Sequence, residues 1–190
     1  MKSVQLLVRG FRSLMRRLKN QGIRHTLVWL HGRGTPLLTG IPVLRYSRVT
    51  ASVHVGAQHG AAGKRFLERR GIHHSVSLRA EMDDAERGLA LAHYCYLPTV
   101  DGEAPTLQHL REGVAFIAWV VEKGGKVYIH CEGGVGGAPT MAAAYLIYLG
   151  HSVDSALALI RAARPFIDLS SAQMQQLARF EEIQRKDTTR

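Results

Sequence analysis

The chain has 190 residues with 46% apolar content, and 25 Lys and Arg against 15 Asp and Glu give it a formal charge of +10. With a mean hydropathy of -0.07 this is a globular composition, and the apolar runs, the longest being Met141–Leu149 and Val114–Val121, fall short of the ~18 residues of a membrane span. Two cysteines exclude a disulfide framework and a zinc site built from cysteine alone, and point to a reducing compartment such as the cytoplasm.

The charge is not spread evenly. Residues 1–50 hold ten Lys and Arg and no acid, Glu68 being the first acidic residue, whereas residues 51–190 hold fifteen of each sign. The excess belongs to an arm, expected to have a different partner from the neutral body. Val4, Leu7, Val8, Phe11, Leu14, Met15 and Leu18 form a helical apolar stripe, with Arg9, Arg12, Arg16 and Lys19 off it. That helix, residues 1–21, either docks on the protein itself or a second subunit, or lies peripherally on an anionic membrane surface. An Arg-rich, acid-free start also fits an organelle transit peptide. Residues 32–40 read as a Gly- and Pro-rich connector, so the expected division is an arm at 1–40 and one domain at 41–190.

Within the domain, Val43–Tyr46 and Ser52–Val55 read as short strands. Lys64–Arg70 reads as a helix stopping at Gly71, and Ile72–Leu78 and Ala92–Leu97 as further strands. Leu107–Glu122 carries Leu110, Val114, Ile117 and Val121 on one face and ends at Gly124-Gly125. Lys126–His130 is a short apolar strand. Three helices follow, Met141–Leu149, Ser152–Ala163 and Ser171–Arg185, and Ser170 with Gln173 reads as a capping box for the last. Strands alternating with helices predict an α/β fold, a central sheet flanked by helices.

The stretch Val127-Tyr-Ile-His130-Cys131-Glu132-Gly133-Gly134-Val135-Gly136-Gly137-Ala-Pro-Thr140 is a strand, a Gly-rich loop and a helix start. Such a loop turns backbone N–H groups inward, and the helix terminus adds positive potential, so the segment suits a phosphate. A cysteine facing those groups is a thiolate nucleophile, and His130 is placed to hold the loop. A dinucleotide fingerprint fails at Pro139, and a Walker loop fails for want of Gly-Lys-Ser/Thr. A plain Gly-rich turn with a core cysteine is the remaining alternative on spacing alone.

His130-Cys131-x-x-Gly134-x-Gly136 with Ala138-Pro139-Thr140 resembles the signature of cysteine-dependent dual-specificity protein phosphatases. Leu97-Pro98-Thr99-Val100-Asp101-Gly102-Glu103-Ala104-Pro105 resembles that family's general-acid loop. Ala158–Arg161, Arg164-Pro165 and Gln176-Leu177 resemble its C-terminal helices, and Ser47–Thr50 with Val53–Gly56 its opening strands. The resemblance spans residues 41–185. It implies a mostly parallel sheet, Cys131 as nucleophile, Asp101 as general acid, residues 132–137 as phosphate-binding loop, and no cofactor. It implies a phosphorylated protein or small phosphate ester as substrate. A supporting hydrogen bond from Thr140 to the thiolate is expected on the same ground, although Ala138 stands where many relatives carry Ser or Thr.

One position departs from the signature. The arginine that clamps the phosphoryl oxygens is replaced by Gly137, which predicts impaired catalysis. Arg79 and Arg164 are the cations that could compensate. Three functions follow: a phosphatase, an inactive phosphatase fold that binds phosphorylated partners, and a membrane-attached lipid-phosphate phosphatase, since the pattern is also similar to mitochondrial phosphatidylglycerophosphate phosphatases. Nucleic acid is not an expected partner, because the arm lacks interleaved aromatics. No metal ligand set is expected among the ten histidines, Cys95 is expected in the core, and Glu81, Asp83, Asp84 and Glu86 read as a solvated acidic turn.

Overall fold

A computed structural model describes residues 27, 30–32 and 34–188. The expected helix at 1–21 lies outside the described residues. Four parallel strands form one sheet: β1 (Val53–Ala57), β2 (His74–Arg79), β3 (His93–Thr99) and β4 (Val127–Cys131), in the order β1-β4-β2-β3. The connections are α1 (Ala61–Glu68) between β1 and β2 and α2 (Leu107–Glu122) between β3 and β4. α3 (Gly137–Tyr148), α4 (Val153–Ala163) and α5 (Ser171–Thr188) complete the chain. The mostly parallel sheet flanked by helices is the architecture expected.

α3 is apolar on every side, with residues 138–147 all buried, which makes it the central helix of the larger core. It packs with Val53, Val55, Ile129, Leu157, Leu177 and Phe180 among others. A smaller cluster of Leu67, Ile72, Leu91 and Tyr128 lies under the other face of the sheet. Alternation along β4 sends Ile129 and Cys131 to the α3 side and Tyr128 and His130 to the other.

Two local expectations are corrected. Val43–Tyr46 is not a strand: Leu44–Tyr46 is a 3-10 turn, closed by Ser47 N–H donating to Leu44 O. The strand-like composition is overridden because Tyr46 packs edge-on to Phe166 rather than joining the sheet. The connector at 32–40 is helical through residues 34–39 and stops at Gly40. The amide of Gly40 donates to Pro36 O at 2.8 Å, and the chain there fits closely because a Cβ on Gly32 would meet the Phe166 ring.

Candidate active site

β4 delivers Cys131 to the carboxyl end of the sheet, and residues 132–136 loop back into the first turn of α3. Each carbonyl around this loop is engaged from outside. Glu132 O accepts the Gln58 amide at 3.1 Å and Val135 O accepts the Asp168 amide at 2.9 Å. Arg164 donates through Nη2 to Gly133 O at 3.1 Å and through Nε to Gly134 O. In a trans peptide the following N–H points opposite to its carbonyl. The amides of Gly133, Gly134, Val135 and Gly136 therefore face the inside of the loop, where Cys131 sits and where α3 begins. This is an anion cradle made of backbone.

Gly134 is the loop residue that must be glycine. Its φ is +63°, and a Cβ there would enter the backbone of Gly56 and come within 2.7 Å of Arg164 Nη2. Gly134→Ala is expected to destabilise the fold by about 1–3 kcal/mol, read as a fall in urea midpoint at unchanged m. Gly137 differs: a Cβ would touch the Cβ atoms of Cys131 at 3.7 Å and Leu78 at 3.8 Å. Those are ordinary contacts, and Gly137 is not among the residues with positive φ. The backbone thus has no need of glycine at the position where the signature carries arginine.

Asp101 lies in the exposed turn after β3, and Gly102 reverses the chain there with φ +86°. α5 pins this turn. Gln173 donates through Nε2 to Glu103 O at 2.9 Å and Gln176 to Pro105 O at 2.8 Å. Gln173 also accepts the Ser170 amide at 3.0 Å while Ser170 Oγ accepts that of Gln173 at 3.2 Å, the reciprocal cap expected from sequence. The turn and the cradle share a cleft of about 170 Å³ lined by Asp101, Cys131, Val135, Gly136, Asp168 and Gln173. A crevice of about 10 Å³ adjoins it between Leu78, Arg79, Glu81, Cys131 and Gly137.

The structure therefore brings Cys131, Asp101 and residues 132–137 together. It assigns other work to two expected helpers. Thr140 Oγ1 donates to Gly136 O at 2.9 Å, within the first turn of its own helix. Arg164 lies behind the loop, buried, with a third bond to Tyr46 O at 2.9 Å and its guanidinium over the Phe166 ring. It orients the cradle rather than entering it. Arg79 alone of the two compensating cations lines the crevice, its Nε 3.6 Å from Glu81 Oε2. Glu81 in turn receives the Asp101 amide at 3.4 Å.

The expected solvated acidic turn is corrected by the structure, which sets His130 against it. Asp84 is not solvated: it is fully buried, with His130 Nε2 3.0 Å and His59 Nε2 3.8 Å from its Oδ2. Burial pushes its pKa up, but His130 and the Gln58 amide beside it outweigh this and hold the carboxyl below its usual range. Burial pulls His59 down to about 4, with His130 adding to the effect. Cys95 is partly buried, which pushes its thiol up to about 11. It cannot bridge to Cys131, because β2 lies between their strands and two strand spacings are about 9–10 Å.

Residues 53–183 match the family described as dual specificity phosphatase, catalytic domain. The chain belongs to that family. Human dual specificity protein phosphatase 5 is 29% identical over 131 residues, covering 68% of this chain and 34% of that protein. Mouse dual specificity protein phosphatase 1 is 26% identical over 137 residues, 70% of this chain and 36% of that one. The chain thus spans about a third of the length of these relatives. Among solved structures, PTPMT1 in complex with PI(5)P superposes with a TM-score of 0.69 at 26% identity, over 74% of this chain and 97% of that one. Human DUSP28 superposes with a TM-score of 0.67 at 23% identity, over 74% and 99%, a likeness of fold. The family is one of cysteine-dependent phosphatases, and the dual specificity phosphatase domain here carries its cysteine at the expected end of β4.

Proposed function

We propose that this domain hydrolyses phosphate monoesters through Cys131, slowly because of Gly137. The observation that carries the reading is the ring of four inward backbone amides around the cysteine, fixed by Gln58, Arg164 and Asp168. The Cys131 thiolate attacks phosphorus, forming an S–P bond as the ester P–O bond breaks. Asp101 gives its proton to the departing oxygen. The Asp101 carboxylate then takes a proton from water as that water attacks phosphorus, and the S–P bond breaks to return the thiolate and free phosphate.

The cradle supports binding of three phosphoryl oxygens, yet the cleft wall opposes a dianion. Among the described residues its charged lining is Glu81, Asp101, Glu103, Glu132 and Asp168 against Arg79. Arg79 is the cation we assign to residual activity. Arg79→Ala is expected to lower kcat/KM on p-nitrophenyl phosphate by about tenfold (~1.4 kcal/mol), and by less when Gly137→Arg is also present. An equal fall in both backgrounds would make Arg79 a structural residue.

A second reading, a fold that binds phosphate-bearing partners without turnover, is favoured by the same Gly137. Substrates are phosphoproteins or smaller esters. The phosphoinositide bound by PTPMT1 makes a lipid phosphate part of that range, and residues 1–21 would then supply a contact with an anionic membrane. The deciding experiment is p-nitrophenol release by the wild type, Cys131→Ser, Gly137→Arg and the double variant. The phosphatase reading requires the wild type to exceed Cys131→Ser. Equal background rates in those two, with turnover only after Gly137→Arg, establish the binding-module reading.

A further inference from the structure

On the face of the sheet opposite α3, directly beneath the cradle, six buried polar atoms find no hydrogen-bond partner among the described residues. They are Gln58 Oε1, His59 Nδ1 and Nε2, Asp84 Oδ2, and His130 Nδ1 and Nε2. Orphaned buried polar atoms cost free energy and are rare singly. A single shared partner would satisfy many of them at once. His130 Nε2 comes to 3.0 Å of Asp84 Oδ2, but this approach leaves both atoms unsatisfied, so it is not a properly directed N–H donation.

The geometry points to a buried divalent-metal site formed by His59, Asp84 and His130, of the two-imidazole, one-carboxylate type that zinc and its neighbours take. One ligand atom from each residue lies within 4.8 Å of the others, and all three side chains are buried. The pairs measured from Asp84 Oδ2 are 3.0 Å and 3.8 Å. Ligands on a tetrahedral ion with bonds of 2.0–2.1 Å stand about 3.3 Å apart, so the two pairs from Asp84 need only sub-ångström adjustments. Gln58 Oε1 supplies a further oxygen in the same neighbourhood.

The outer shell is also in place. Asp84 Oδ1 accepts Gln58 Nε2 at 2.8 Å, which turns Oδ2 toward the histidines. The Asp84 amide donates to Tyr94 Oη at 3.2 Å, and the Asp84 carbonyl accepts the amides of Leu89 and Ala90. These bonds fix the ligand before any ion arrives. The role that follows is structural. His130 adjoins Cys131, and Gln58 also anchors Glu132 O, so an ion here would tie β1, the turn after β2 and β4 to the base of the cradle. The chemistry at Cys131 does not pass through it.

The test uses the full untagged chain, treated with chelator and then titrated with Co²⁺ and Zn²⁺. One equivalent of Co²⁺ is expected to bind with the intense visible d–d absorption of a four-coordinate site, to be displaced by Zn²⁺. At 100-fold excess over its Kd, Zn²⁺ is expected to raise Tm by about 5–10 °C. Asp84→Asn and His59→Gln are expected to remove both effects, while His73→Gln and His93→Gln, on exposed histidines, leave them. No stoichiometric Co²⁺ binding by the wild type would overturn the site, as would binding that survives Asp84→Asn and His59→Gln but is lost with His73 or His93. Neither result depends on turnover, so this site and the phosphatase reading fail separately.

Discussion

Gly137→Arg is expected to raise kcat on p-nitrophenyl phosphate by about 10³-fold or more. Arginine supplied to other phosphoryl transfers is worth about 10³–10⁵ in rate, because its planar fork meets two phosphoryl oxygens at once and stabilises charge that grows in the transition state. On the proposed mechanism the four cradle amides supply part of that stabilisation and Arg79 from the crevice another part, but neither gives a bidentate clamp. The substitution is sterically available. A Cβ at this position meets Cys131 and Leu78 at ordinary contact distance, and the side chain would start from the crevice wall. Steady-state kinetics check the gain. An unchanged rate would mean that the clamp is dispensable in this cleft.

The second large effect concerns stability. Arg164→Met keeps the length and apolar stem of the side chain but removes its donors to Gly133 O, Gly134 O and Tyr46 O. Two of these bonds are buried. Each carbonyl left unsatisfied costs about 1–3 kcal/mol, so a loss of about 3 kcal/mol or more is expected in urea unfolding. The loop peptides would also be free to turn, because Arg164 is what holds Gly133 O and Gly134 O outward and so directs the following N–H groups inward. Inorganic phosphate affinity should fall together with stability in the surviving folded fraction. An unchanged urea midpoint would assign loop orientation to the glycines alone.

Much of this was legible in the sequence, for definite reasons. The bounds of α2 at Leu107–Glu122 follow from its apolar stripe and its closing glycines. The strand into Cys131 and the Gly-rich turn are local patterns, and so is the Ser170–Gln173 cap. The parts that were not legible depend on contacts between distant segments. Arg164 stands thirty residues from the carbonyls it holds in the loop, and no local pattern tells a cation behind a loop from one inside it. Asp84 sits in a run of acidic residues that looks solvated, and only the fold carries it beneath β4 to meet His130 and His59. Val43–Tyr46 has strand composition but lies outside the sheet, because Tyr46 is taken by Phe166.

The charge of the chain also takes on a different meaning. Its basic excess lies in residues 1–50, while the cleft beside Cys131 is lined, among the described residues, by five carboxylates and Arg79. Attraction of a phosphate at the site therefore rests on oriented backbone dipoles rather than net charge.

On the mechanism we propose, a nucleophilic Cys131 in a backbone cradle takes up a phosphoryl group. Intact-mass spectrometry after rapid acid quench tests it most directly, with Asp101→Asn in the Gly137→Arg background and p-nitrophenyl phosphate as substrate. The good leaving group needs little help to depart, while loss of the carboxylate slows hydrolysis of the intermediate. A single phosphoryl adduct is expected, mapping to Cys131 and absent after Cys131→Ser. Turnover without an adduct, or an adduct on any other residue, would exclude Cys131 as the nucleophile.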